Sequence, residues 1–465
     1  MIKFIAKRIF LISFVTLINN ASAQNPLQKR IESGVIEGTI SQHDNQVEKY
    51  LGIPYAQPPI GDLRWKAPQK PIPWQGVLKT QEFSKKAMQP LDKWSTRDNL
   101  SEDCLYLNVW KPTELGEAKF PVLVIIHGGG LGKGGTRGPE LNGSNMAKKG
   151  IVVVTVNYRL NIFGFLAHPE LSTETNYEGS GNYGFMDQQL ALQWVKNNIA
   201  VFGGDPNRIT IAGESAGARS VHILSTSPLS KDLIIGAIGS SDGVKPVYSL
   251  KTAENIGVLV LEKLGYKTVA ELRQASTEDI IKLYDSHKAG NAINPFQPTL
   301  DNYVIPNEIT KIYKESKQVN IPLLIGWNSA EHPAKHFLKG ANFTKKKFIK
   351  RTKEVFPGHY EKVLDMYSHE TEEDIKWSAT HLSSLRTVMK SWKWFDLHQK
   401  YSKAPVYRYL FSKIPPPAKT VDLSKYTPPL GPKHAADIPY AWGNLDKIKS
   451  HHYTKDDYKV SALMQ

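Results

Sequence analysis

The sequence predicts an α/β fold, a central and mostly parallel β-sheet flanked by helices, and three observations carry that prediction. Short β-branched apolar runs recur along the chain, a helical pattern separates two of them, and a glycine-flanked serine stands between one run and a second helical pattern. Strand, helix and strand in that order indicate parallel pairing through right-handed crossovers.

The apolar runs lie at residues 122–126, 151–156, 209–212, 323–325 and 406–411. Their continuous apolar character predicts strands covered on both faces. Between the second and third runs, Leu190, Trp194, Val195 and Ile199 recur at helical spacing and predict a helix over 186–199, followed by the turn Phe202-Gly203-Gly204-Asp205-Pro206. Residues 103–109 alternate as a strand would, which makes the single cysteine, Cys104, a small half-buried packing residue. One cysteine forms no intramolecular disulfide. Segments 250–320 and 341–400 are helical and charged in character, without the composition of a linker. They predict insertions over the carboxyl ends of the strands, where α/β sheets bind ligands and where such helices would wall a site.

At the N-terminus, Lys3, Lys7 and Arg8 precede an apolar run over 9–18 and then Ala21-Ser22-Ala23. This is the pattern of a signal peptide over 1–23 cleaved near Ala23, which predicts an exported protein, periplasmic or secreted, with residues 24–465 as one domain. The run is about half the roughly 20 residues that span a bilayer, and no later segment is long enough, so no integral membrane segment is expected after signal removal. The composition, 40% apolar and 22% charged, is that of a folded globular chain. The formal net charge of +15 is not gathered into a basic stripe interleaved with aromatics, which argues against a nucleic-acid partner.

The serine motif, Gly213-Glu214-Ser215-Ala216-Gly217, follows the run 209–212 directly and precedes a helical stretch reaching about Leu224. A serine on so sharp a strand-to-helix turn projects its hydroxyl above the sheet as a nucleophile, and the glycines leave room for the turn. The first helical amide, that of Ala216, faces the point where an oxyanion would develop. His127-Gly128-Gly129-Gly130 follows the run 122–126, so the amides of Gly129 and Gly130 can approach the same oxygen. Two other readings of this loop fail on spacing. A Walker pattern ending at Gly132-Lys133 requires glycine and serine or threonine where His127 and Gly134 stand, and a dinucleotide fingerprint lacks its acidic partner at Asn157-Tyr158-Arg159.

Together with Tyr50-Leu51-Gly52-Ile53-Pro54-Tyr55-Ala56, Ser101-Glu102-Asp103-Cys104-Leu105-Tyr106-Leu107-Asn108-Val109, Asn157-Tyr158-Arg159 and Phe202-Gly203-Gly204-Asp205-Pro206, these motifs make the chain resemble the type-B carboxylesterase family from about residue 30 to about 445. The resemblance implies an α/β-hydrolase fold and hydrolysis of small-molecule carboxylic esters through an acyl-enzyme, with no cofactor and no metal. It implies a triad in the order serine, acid, histidine. Glu331 takes the acid's place in Leu324-Ile325-Gly326-Trp327-Asn328-Ser329-Ala330-Glu331-His332, a loop that departs from the family at Ala330 and His332. His434 takes the place of the base in Gly431-Pro432-Lys433-His434-Ala435-Ala436-Asp437-Ile438-Pro439-Tyr440-Ala441-Trp442-Gly443. Ser241 matches a serine that helps hold the triad, and Glu214 a carboxylate lining the site. Cys104 matches the second member of a family cysteine pair, and Met88 stands near the first. Family chains continue through an aromatic-rich helix and tail, so a C-terminus ending at Gln465 is expected to be shortened or partial.

Three alternatives are weighed against this reading. His332-x-x-x-His336 beside Glu331 has the spacing of zinc ligands, but Pro333 and the absence of a His-Glu-x-x-His order argue against it. A non-catalytic binding protein on the same fold is disfavoured because all three triad residues are present. Carbamates, thioesters or activated amides are open to the same triad.

Overall fold

The computed structural model describes residues 25–41, 44–91, 96–114, 119–282 and 294–465; the expected signal segment lies outside them. Among the described residues, nine strands form the central sheet: β1 (Thr39–Ser41), β2 (Asp44–Pro54), β3 (Tyr106–Pro112), β4 (Phe120–Ile126), β5 (Val152–Val156), β6 (Gly204–Glu214), β7 (Gly236–Ser240), β8 (Leu323–Asn328) and β9 (Val406–Phe411). Their spatial order is β1-β2-β3-β5-β4-β6-β7-β8-β9. Every neighbouring pair from β5 to β9 is parallel, and β1 to β3 add an antiparallel edge.

Valine and isoleucine dominate the central strands because both faces are covered. Val122, Val124 and Ile126 of β4 join the main apolar core, whereas Leu123 and Ile125 join a smaller cluster, the alternation a strand imposes. Each such side chain contributes about 1.5–3 kcal/mol on burial, which ties the sheet to both helical layers. The connection after β4 leads to β5 on one side and that after β6 leads to β7 on the other. The carboxyl ends of β4 and β6 therefore flank a topological switch point, where such sheets open a crevice. Register keeps these ends level, with Gly213 opposite Ile126, Glu214 opposite Ser240, and Ser240 opposite Gly326.

Three helices matter most for the site: α1 (Tyr183–Asn198), α2 (Ala216–Thr226) and α3 (Glu372–Tyr401). α1 is the expected helix, begun three residues earlier than the apolar spacing suggests, and every residue of α2 is buried. The two expected insertions contain helices Leu250–Lys263, Val269–Gln274 and Ile309–Lys314, then Lys345–Val355, Tyr360–Met366 and α3. α3 starts with a capping box between Thr371 and Asp374 and runs for 30 residues.

Three expectations are corrected, and two features were not anticipated. β7, Gly-Ala-Ile-Gly-Ser, carries too few large apolar residues to register as a run, and the reason is α3. A Cβ on Gly239 would lie 2.4 Å from the Trp394 ring. The strand expected over 103–109 begins at Tyr106, because the Tyr106 amide bonds back to the Cys104 carbonyl at 2.8 Å in a tight turn that interrupts the ladder. Cys104 thus precedes the strand and is fully buried, not half-buried. β6 starts at Gly204, inside the expected turn, and pairs irregularly with β4 until Ile209, the reversal being confined to Gly203 at φ 80°. The edge strands β1 and β2 and a separate sheet of Gln28–Ile31, Gly34–Glu37 and Val77–Lys79 were not anticipated, since their strands mix polar with apolar residues.

Candidate active site

Ser215 occupies the single residue between β6 and α2, at φ 55° and ψ −125°. A non-glycine residue there stores about 1–3 kcal/mol of strain, which the packing around it must hold. A Cβ on Gly213 would meet the Gly217 carbonyl carbon at 2.3 Å, and one on Gly217 would meet the Ile126 carbonyl oxygen at 2.1 Å, so strand and helix close to a distance only glycine permits. The Ser215 amide donates to the Ser240 carbonyl at 2.8 Å, fixing the turn to β7.

The structure brings Ser215, His434 and Glu331 together. Ser215 Oγ lies 2.9 Å from His434 Nε2, and His434 Nδ1 lies 2.6 Å from Glu331 Oε2. The two loops are also joined by the His434 amide, which donates to the Glu331 carbonyl at 3.0 Å. Glu331 is 1% exposed. Its other oxygen accepts from Ser241 Oγ at 2.6 Å and from the Asn328 amide at 2.8 Å. Burial alone would raise this carboxyl, but the hydrogen bonds from His434, Ser241 and Asn328 outweigh it and hold Glu331 below the ordinary range.

Sequence reasoning found Ser241 and missed the layer behind it. Asn328 Nδ2 donates to Ser241 Oγ at 3.2 Å and to Asp437 Oδ1 at 3.0 Å, and Asp437 also accepts from Tyr409 at 2.8 Å and from Ser240. Asn328 and Asp437 stand inside the loops that carry Glu331 and His434, but only their three-dimensional meeting shows what they do.

Glu214 points its Oε1 at His434 Nε2, 3.1 Å away. Burial raises its carboxyl to about 8, with Asp437, Glu331 and Asp242 adding to the rise and His434 opposing it. Burial disfavours a charged His434, yet the hydrogen bond it donates to Glu331 and the charges of Glu214, Glu331 and Asp242 lift the imidazole to about 9. A protonated Glu214 withdraws its charge from the imidazole, so at neutral pH Glu331 carries most of that upward pull.

The loop after β4 places Gly129 at φ 109° and Gly130 at φ 69°, and a Cβ on Gly129 would lie 2.0 Å from the Lys133 carbonyl oxygen. Among the described residues neither amide donates a hydrogen bond within the protein. A Cβ on the preceding Gly128 would sit 3.2 Å from that of Ser215, which shows how closely loop and elbow approach. Tyr158 anchors the loop by stacking on His127 at 4.5 Å and donating to its carbonyl at 2.8 Å. Ala216 follows Ser215 as the first residue of α2 and is buried. A cavity of about 770 Å³ borders the site, lined by Gly128, Gly129 and Glu214 but not by Ser215 or His434. His332, weighed above as a zinc ligand, is engaged through Nε2 with Thr387 Oγ1 at 3.0 Å.

Comparison with known proteins accords with this geometry. The family model described as the carboxylesterase family matches residues 25–465. The chain is 34% identical over 433 residues to the fumonisin B1 esterase of Sphingopyxis macrogoltabida, a match covering 90% of this chain and 75% of that protein. It is 34% identical over 432 residues to the para-nitrobenzyl esterase of Bacillus subtilis, covering 90% and 83%. A solved structure of a PNB esterase superposes with a TM-score of 0.79 at 30% identity, covering 95% of this chain and 89% of the other. The architecture is the α/β-hydrolase fold.

Proposed function

The chain belongs to the carboxylesterase family and is a carboxylic-ester hydrolase, and from that premise we propose that Ser215 is its nucleophile, His434 its general base and Glu331 the residue that orients His434. The observation that carries this reading is the continuous chain of contacts from Ser215 Oγ through both ring nitrogens of His434 to Glu331.

His434 Nε2 takes the Ser215 proton as Oγ attacks the ester carbonyl, and Glu331 holds the tautomer with the proton on Nδ1 while stabilising the imidazolium. The carbonyl oxygen becomes an oxyanion facing the amides of Gly129, Gly130 and Ala216, each worth on the order of 3 kcal/mol when well placed. Collapse of the intermediate passes the proton from His434 to the departing alcohol. Water, deprotonated by His434, then attacks the acyl-enzyme and releases the acid, restoring Ser215. Ser241 and Glu214 act through Glu331 and His434 and hold the pair in place.

Substrates are small esters, of the kind for which the para-nitrobenzyl and fumonisin B1 esterases are named. Ser215→Ala is expected to reduce p-nitrophenyl acetate turnover by several orders of magnitude with the fold intact; an unchanged rate would refute the assignment. The residues at 1–23 support export, and N-terminal sequencing of the native protein is expected to begin at Gln24. Retention of the leader in a mature, active protein would count against export by cleavage.

A further inference from the structure

Close behind the nucleophile, three cations crowd around one carboxylate. Arg219 stands one turn of α2 beyond Ser215, its amide bonded to the Ser215 carbonyl at 3.1 Å. Its Nη2 donates to Asp242 at 2.7 Å, and Asp242 follows Ser241, the residue that bonds Glu331. Lys390 of α3 lies 3.3 Å from the second Asp242 oxygen. Lys245 and Arg219 Nη1 both donate to a single acceptor, Gln297 Oε1, at 2.9 and 3.2 Å. Arg386 on α3 adds a further positive charge that acts on Lys245 and Lys390.

The cluster is also short of acceptors. Among the described residues, Arg219, 8% exposed, has no hydrogen-bond partner at Nε, and Asn294, 8% exposed and accepting from Gln297 through its backbone carbonyl, has none at Nδ2. Buried donors are rarely left open, because an unpaired donor loses its bond to water and gains nothing in return. Like charges gathered in a partly buried place add to that cost. Two open donors and an excess of positive charge at one spot have the same chemical remedy, an anionic oxygen acceptor.

We infer that Arg219, Lys245, Lys390 and Asn294 form a binding site for a carboxylate carried by the substrate, so that the preferred esters have a free acid group a few atoms from the scissile carbonyl. The inference deepens the assignment of Ser215 as nucleophile and rests on it. The state of Lys245 agrees: burial, and then the charges of Arg219 and Lys390, push its ammonium down to about 8 against the pull of Asp242, so an anion beside it would favour its charged form. A bidentate carboxylate suits a guanidinium whose remaining N–H is open.

The test compares charged and neutral esters of matched length on the full chain in a pH-stat. In the acyl arm, monoethyl succinate is set against ethyl butyrate; in the alcohol arm, 4-acetoxybutanoate is set against butyl acetate. The expected result is a kcat/KM ratio favouring the charged ester by about tenfold or more in one arm, which also identifies the side that carries the acid. Arg219→Ala would break a buried ion pair and risk misfolding, so Lys245→Gln and Lys390→Gln serve as variants. Each is expected to reduce that ratio at least about fivefold. A ratio near one or favouring the neutral ester in both arms, or a ratio unchanged in both variants, overturns the carboxylate site while ester turnover continues. Failure to hydrolyse any of the four, together with no fluorophosphonate labelling of Ser215, would instead overturn the nucleophile assignment and this inference with it.

Discussion

The imidazole of His332 is stacked on that of His434, ring centroids 5.4 Å apart and planes inclined by 29°. His332 is held from the other side by α3, its Nε2 against Thr387 Oγ1 at 3.0 Å and its amide donating to Ser384 at 3.2 Å. Burial, followed by the charges of His434, His336 and Lys390 against that of Glu331, pushes it down to about 4, so it is a neutral plate at neutral pH. A residue that departs from the family loop has thus become a brace for the base.

His332→Ala is therefore expected to lower kcat for p-nitrophenyl acetate by about three- to tenfold with little change in KM, and His332→Phe to restore most of it. Steady-state kinetics of both variants check this. Equal loss in the two would mean that stacking is not what His332 supplies.

Glu214, once ionised, adds to the upward pull of Glu331 on the titration of His434. In the proposed mechanism His434 must be neutral to take the Ser215 proton, and its raised value, about 9, places the acid limb of kcat/KM on the alkaline side of neutrality. An ionised Glu214 stabilises the imidazolium, so Glu214→Gln removes an upward influence and is expected to move the limb to lower pH. A pH–rate profile reads the shift, and a move to higher pH would contradict this account.

Glu331 lends stability as well as orientation. Its carboxyl is lowered from 4.5 in the folded chain, so the contribution is fully present above that value and is lost as pH falls through the folded value. Glu331→Gln is expected to unfold at a pH less dependent on acid than the wild type, and to lose roughly 10³–10⁴ in kcat as His434 loses its tautomer. Acid titrations followed by circular dichroism, with assays alongside, measure both.

Gly239 is expected to tolerate nothing larger. Gly239→Ala places a Cβ against the Trp394 ring, whose indole N–H is already committed to Tyr313 at 2.9 Å, and is expected to destabilise by about 1–3 kcal/mol in urea unfolding. An unchanged midpoint would show that α3 moves aside without loss.

These relationships explain what was legible in the sequence. The central valine- and isoleucine-rich strands announced themselves because both faces are buried, whereas the run 406–411, expected to be covered likewise, is the sheet's edge strand β9 with Tyr407 and Leu410 exposed. The elbow stood out because its glycines sit where backbones nearly touch. β7 stayed hidden since it is built of small residues to admit Trp394, a constraint imposed from more than a hundred positions away. Glu331 and His434 could be placed only through resemblance, and Asn328, Asp437 and Tyr409 not at all, because a hydrogen-bond network among separate loops leaves no periodicity. The cations around Asp242 stand far apart in the sequence and form no run there. Only folding draws Arg219, Lys245 and Lys390 to one place.

The most direct measurement is mass spectrometry of the enzyme quenched during p-nitrophenyl acetate turnover. The account predicts an acetyl group on the peptide containing Ser215, absent in Ser215→Ala. Acetylation confined to another residue, or turnover with no covalent adduct in wild type, would contradict it.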